Sequence, residues 1–156
     1  MTKLVYNHDK FFVFTDTPIT KCFLDNQFLH IECEFVYCFL NNSSKLAVYS
    51  SEGHPKVVIQ LKKIINWTNW ENQENYTNEF KQHISSLIGT EFLEFSYKDN
   101  VGKIIYVSGE IEFEFIDFQM IVSPENLYFY RDVTKEEIQQ FLPFELPKIQ
   151  LPVSFH

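Results

Sequence analysis

Glycine is scarce in this chain: 4 among 156 residues, at positions 53, 89, 102 and 109. Phosphate cradles need several glycines opening a helix, so that bare backbone N–H groups can converge on the anion. Scattered glycines exclude nucleotide binding by such loops. With only 6 Pro beside them, neither a collagen-like repeat nor a flexible linker can be assembled. Arginine is scarcer still: Arg131 is the sole one, and the longest basic run is Lys62-Lys63. Nucleic-acid phosphates require a basic groove, so nucleic acid is not expected as a partner. The three cysteines, Cys22, Cys33 and Cys38, are odd in number and lack the two-residue spacing of a redox pair or zinc knuckle, which argues against a disulfide framework. Long apolar runs are missing as well. Phe35–Leu40 is about a third of the ~20 residues that a membrane helix needs, and polar residues return at Asn7-His8-Asp9 before any signal-peptide core could form. A cytoplasmic location, with no membrane association, is the expectation.

What is present is acid and aromatic surface. The chain has 21 Asp plus Glu against 13 Lys plus Arg, a formal charge of −8. That field favours a basic protein partner and disfavours anionic membranes, although such a charge also serves simply to keep a domain in solution. The 17 Phe, 8 Tyr and 2 Trp are more apolar surface than a disordered segment could leave in water. Folding of residues 1–156 as a single domain is expected.

Alternation dominates the chain. Leu29, Ile31, Cys33, Phe35 and Tyr37 share one face of a strand while His30, Glu32 and Glu34 share the other. The turn Asp25-Asn26-Gln27 makes a hairpin with the strand before it. Turns at Asn41–Ser44, 50–55 and Ser123–Asn126 separate further short strands. Leu93, Phe95 and Tyr97 alternate before Asp99-Asn100-Val101-Gly102 turns the chain. Ile111, Phe113 and Phe115 then alternate with Glu110, Glu112 and Glu114, and the phase slips by one residue near Phe115-Ile116. A bulge there would account for the slip.

Helical spacing occurs in two places. Tyr76, Phe80, Ile84, Leu87 and Ile88 predict a main helix over roughly 71–88, capped by Asn69 or Asn72 and stopped at Gly89. Thr134 with Glu137 fits a capping box at the head of a short C-terminal helix over 134–142, which Pro143 ends. Residues 143–156 are expected to form a proline-rich C-terminal arm. The resulting expectation is an α+β fold, mainly antiparallel β-sheet in two meanders, with one main helix packed on it.

Chemistry-bearing motifs are absent. No tight glycine-framed turn exposes a nucleophile. The five His and three Cys fall at no ligand spacing, so no metal or cofactor is expected. Glu32 with Glu34, or Glu110 with Glu112, would stand about 7 Å apart along a strand, as paired acid–base carboxylates do. The same spacing arises whenever a strand's outer face is acidic, and no enzymatic activity is expected. Like charges along a strand repel unless water, lysine or a partner offsets them. Trp67-Thr68-Asn69-Trp70 has little apolar context and offers indoles that could anchor an interface.

The acidic strands Glu110–Phe115 and His30–Phe35, one helix between β segments, and Leu87-Ile88-Gly89-Thr90-Glu91-Phe92-Leu93-Glu94-Phe95 together resemble the small acidic immunity proteins of bacterial polymorphic or contact-dependent toxin systems. The resemblance covers most of residues 19–130. It implies a non-catalytic binding protein that neutralises a cognate toxin by covering its active or substrate-binding surface. Glu110, Glu112 and Glu114, helped by Glu32 and Glu34, are the expected contacts to a basic partner, with Trp67 and Trp70 at the centre. Three alternatives stay open. One is a small-ligand-binding, β-barrel-like domain with an enclosed apolar cavity, and another is an enzyme with an unrecognised motif. The third is a structural subunit, monomeric or homodimeric through a sheet edge.

Overall fold

The computed structural model describes residues 4–6, 12–14, 16–40, 46–50, 55–123 and 127–141. The expected arm over 143–156 and the turns at 41–44, 51–54 and 124–126 lie outside the described residues. Eleven strands run in chain order: β1 (Leu4–Tyr6), β2 (Phe12–Val13), β3 (Thr17–Asp25), β4 (Phe28–Cys33), β5 (Val36–Leu40), β6 (Leu46–Ser50), β7 (Lys56–Asn69), β8 (Glu91–Lys98), β9 (Val101–Tyr106), β10 (Gly109–Val122) and β11 (Leu127–Asp132). Every pairing among them is antiparallel. Among the described residues no helix is long and apolar enough to cross a membrane.

The larger sheet runs β1-β10-β7-β4-β3-β8-β9, and β9 also pairs with β10, which closes six of its strands into a ring. The seam between β3 and β8 is short. Thr17 pairs with Phe92 and Pro18 with Glu91. Ile19 N–H donates to the Thr90 carbonyl at 2.9 Å, and Gly89 N–H donates to the Ile19 carbonyl at 2.9 Å. Gly89 takes up the left-handed backbone (φ 86°) expected at the end of the helix. Closure satisfies edge groups that an open sheet would leave to water. A ring of six antiparallel strands is too narrow to hold a lumen, so its inward side chains fill it. Trp67, Phe92, Phe113, Ile104, Ile111, Leu29, Ile31 and Ile59 are all fully buried. The enclosed apolar cavity anticipated for a ligand-binding barrel is therefore occupied by the protein's own side chains.

Bulges decide which residues reach that interior. Glu114 pairs with Lys63 and Phe115 with Leu61, which leaves Lys62 as an extra residue on β7; the same count leaves Ile65 extra on β7 and Ile116 extra on β10. Each bulge advances the side-chain phase by one residue. On β7 the inward positions become Ile59, Leu61, Ile64 and Trp67. On β10 the inward set passes from Phe115 to Phe118, Met120 and Val122, as the phase slip predicts, while Ile116 itself points out with 55% exposure.

β11-β6-β5-β2 form a second, four-stranded sheet. The continuous alternation read over Leu29–Tyr37 is broken here: the strand ends at Cys33, Glu34 and Phe35 interrupt it, and β5 restarts with Val36 and Cys38 buried instead of Phe35 and Tyr37. The interruption lets the chain leave the ring and enter the second sheet.

The main helix is shorter and starts later than its periodicity predicts. It consists of a 3-10 turn at Thr77–Glu79, α1 (Phe80–His83) and a second 3-10 turn at Ile84–Leu87. The residues before it are held by asparagine side chains. Asn69 Oδ1 accepts the Glu71 and Asn72 N–H groups at 3.0 and 3.1 Å, Asn72 Oδ1 accepts that of Glu74 at 3.0 Å, and Asn75 Oδ1 accepts that of Thr77 at 3.0 Å. Such local bonds compete with the helical ladder for the same donors. Ile84 and Leu87 still join the core.

The C-terminal helix α2 (Lys135–Phe141) follows its sequence signal. Thr134 N–H donates to Glu137 Oε1 at 3.0 Å, and Glu137 N–H donates to Thr134 Oγ1 at 3.3 Å. Arg131 adds a fork, Nη1 to Glu137 Oε1 at 2.6 Å and Nη2 to Oε2 at 2.8 Å. That guanidinium, with help from the Thr134 donors, holds the Glu137 carboxyl down at about 2.

Candidate functional site

Inward packing of Ile111, Phe113 and Phe115 forces Glu110, Glu112 and Glu114 onto the outer face of β10. The neighbouring strands supply lysines. Lys103 on β9 lies opposite Glu112 in register and places Nζ 3.1 Å from Glu110 Oε1. The hydrogen bond to Glu110 and the charges of Glu110, Glu112 and Glu94 raise the pKa of Lys103. On the other side, the bulge in β7 turns two successive lysines outward: Lys62 Nζ lies 3.1 Å and Lys63 Nζ 3.7 Å from the two oxygens of Glu114. The row is thus a lattice of alternating charge. Pairs of this kind are exposed and screened by salt, so each can be exchanged for a partner's cation at small cost.

The other expected contacts lie elsewhere. Glu32 pairs in register with Lys56 on β7, and Glu114 with Lys63. Seven residues of strand separate the two levels, roughly 20 Å at ~3.3 Å per residue. Glu32 has its own lysine, Lys21, at 3.8 Å. Glu34 is exposed beyond the end of β4. The five carboxylates therefore do not form one patch; Glu110, Glu112 and Glu114 do.

Trp67 and Trp70, three residues apart, have opposite fates. Trp67 is fully buried, so it is not available as a contact. Its Nε1–H donates to Tyr106 Oη at 2.9 Å, and Tyr76 packs edge-on at 5.5 Å. Trp67 keeps the inward phase of Ile59 and Leu61 despite its polar neighbours, because the bulges at Lys62 and Ile65 each shift that phase by one residue and together restore it. Burial raises the pKa of Tyr106, and the donors Trp67 and Asn69 act against that rise. Trp70 is 50% exposed. Its N–H donates to the Ser108 carbonyl at 2.7 Å, and Ser108 Oγ donates to Glu71 Oε2 at 2.9 Å. These bonds hold Trp70 beside the start of β10, the end that carries Glu110. Sequence reading missed Lys62, Lys63 and Lys103. The signal that could have found them is cross-strand pairing, which is not local in the chain.

Nucleophile chemistry finds no support at the thiols. Cys22, Cys33 and Cys38 are free and buried. Burial pushes the Cys22 thiol up to about 12 and Cys33 higher still, where the neighbouring Cys22 and Glu32 add to the rise. No group of three His, Cys, Asp or Glu among the described residues could hold a metal ion.

Open clefts mark the surface. One of about 500 Å³ lies at the tip of the β8–β9 hairpin, beside Lys98, Asp99, Lys103 and Glu112. Another of about 390 Å³ lies between the β3–β4 turn, the β7 bulge and α1. No protein-family model, no curated protein and no solved structure matches this chain.

Proposed function

We propose that this chain is a non-catalytic acidic binding protein, an immunity-type inhibitor that covers the active or substrate-binding surface of a basic toxin domain. In this reading β3–β4–β7 and β8–β9–β10 are two meanders closed on each other, with the helical segment bridging them. The observation that carries it is the outward row Glu110, Glu112 and Glu114 above a filled interior, with Trp70 at one end. A rigid strand presents the three carboxylates at fixed spacing, and their lysine partners are displaceable. A basic partner would gain from the −8 charge a faster, salt-sensitive encounter, by a factor of roughly 10 to 1,000. An exposed Trp beside charged groups supplies the apolar anchor that such interfaces concentrate their energy in.

The test is co-expression. The protein is produced together with the product of the adjacent upstream reading frame in a host that this product arrests. Restored growth, lost when Glu110, Glu112 and Glu114 are all changed to Lys, is the expected result. A neighbour that is harmless alone, or arrest that persists in the presence of the unaltered protein, refutes the proposal.

A further inference from the structure

The cleft of about 390 Å³ between the β3–β4 turn and α1 has a character opposite to that of the rest of the molecule. Its floor is apolar: Leu61 and Ile64 are buried, and Leu24 and Phe80 pack partly against the core. Its rim carries Lys62, Lys63 and Lys81, and no carboxylate lines it. In a chain with 13 basic and 21 acidic residues, three ammonium groups around one carboxylate-free hollow are out of proportion. Glu114 is the single carboxylate ion-paired with Lys62 and Lys63, and Lys81 makes no ion pair among the described residues. The cleft therefore keeps a local excess of positive charge.

The cleft also has length. A neighbouring hollow of about 330 Å³ shares Leu24, Asn26 and Lys81 with it, continues past Ile84, and again has no carboxylate in its lining. Both volumes fall in the range typical of small-molecule sites, about 300–1,000 Å³. The bulge at Lys62 is the device that builds it. An unbulged strand would send one of the two lysines inward, whereas here both face the rim while Leu61 and Ile64 keep to the floor.

We infer that this continuous cleft binds an amphipathic carboxylate, with an unbranched aliphatic chain along Leu24, Leu61, Ile64 and Phe80 and its anionic head among Lys63, Lys62 and Lys81. Apolar burial supplies the affinity and the ammonium rim selects the sign of the head group. The site shares Lys62 and Lys63 with Glu114 of the β10 row, whereas Lys81 belongs to the cleft alone.

Isothermal titration of the full chain with decanoate, kept below its micelle concentration, tests this. The expected result is saturable binding of one ligand per chain. It weakens at least tenfold in a Lys63→Glu/Lys81→Glu variant, and at least tenfold when decanol or decyltrimethylammonium replaces decanoate. Both lysines are exposed, so an unchanged denaturation midpoint will show that the variant is folded. Absence of saturation, several ligands per chain, equal binding of the cationic surfactant, or an undiminished affinity in the folded variant overturns the inference. Association with phosphatidylglycerol vesicles without binding of soluble decanoate also overturns it, because that outcome marks a membrane surface instead.

Discussion

Replacing Gly102 by Ala tests whether the ring is filled. A Cβ at position 102 would lie 2.5 Å from Phe113 Cε2, well inside contact distance. Gly102 and Phe113 are direct partners across β9 and β10, and the Phe113 ring lies over the missing side chain. That ring is fully buried, with Phe95 at 6.2 Å and Phe115 at 6.0 Å between centroids, so it has nowhere to retreat. Overpacking of this kind costs about 1–3 kcal/mol. The lost freedom of the unfolded chain returns about 0.4–1 kcal/mol. A net destabilisation of about 1–2 kcal/mol is expected, read from urea denaturation monitored by circular dichroism at unchanged m-value. Phe113→Leu alone leaves a void and destabilises. Combined with Gly102→Ala it offers the new methyl group room, so the double variant should lose at least about 0.5 kcal/mol less than the sum of the two singles. If Gly102→Ala is as stable as the parent, or if the two changes add, the ring does not press on Gly102 and the interior is looser than described.

Three further outcomes follow from the same packing. Glu137→Gln removes the carboxylate that Arg131 and Thr134 hold, and Thr134→Ala removes the other half of the cap; each should cost about 1 kcal/mol, measured by denaturant titration at neutral pH. Because the folded Glu137 carboxyl sits at about 2, below its unfolded value, its contribution is full above the ordinary carboxylate range and disappears as pH falls toward 2. Stability plotted against pH should therefore be flatter in Glu137→Gln over that acid window, and an unchanged slope contradicts the pairing. Trp70→Phe should leave an indole that acrylamide barely quenches, since Trp67 is fully buried, whereas Trp67→Phe should leave a strongly quenched one. Thr17 Oγ1 is buried with no hydrogen-bond partner among the described residues; Thr17→Val, equal in shape, should hold or raise the unfolding free energy from denaturant titration by up to about 1 kcal/mol, and a marked loss would mean that the hydroxyl is satisfied.

Strands were legible where burial alternates without interruption. The outward glutamates of β10, the slip at Phe115-Ile116 and the left-handed Gly89 each follow from a local rule, as does the Thr134–Glu137 cap. Local rules failed where a non-local constraint or a competing side chain decided the outcome. The 3.6-residue spacing from Tyr76 is real, yet Asn69, Asn72 and Asn75 take the backbone donors that an earlier helix start would need. Trp67 reads as peripheral among Asn66, Thr68 and Asn69, yet it stays in the inward phase of Ile59 and Leu61 because the two bulges of β7, at Lys62 and Ile65, cancel. The alternation from Leu29 to Tyr37 shows no sign of the change of sheet at Glu34-Phe35. The carboxylate row was visible, but its counter-ions were not. Lys62, Lys63 and Lys103 are brought to it by strand pairing across the ring.

The most direct test of the acidic row as a binding surface is the association rate constant between this protein and the product of the adjacent upstream reading frame, measured by stopped flow at low and at physiological salt. Changing Glu110, Glu112 and Glu114 together to Lys should slow association at least tenfold at low salt and abolish most of its salt dependence, with the fold intact by circular dichroism. Association as fast as that of the unaltered protein, with the same salt dependence, contradicts the assignment of the row as the surface that meets a basic partner.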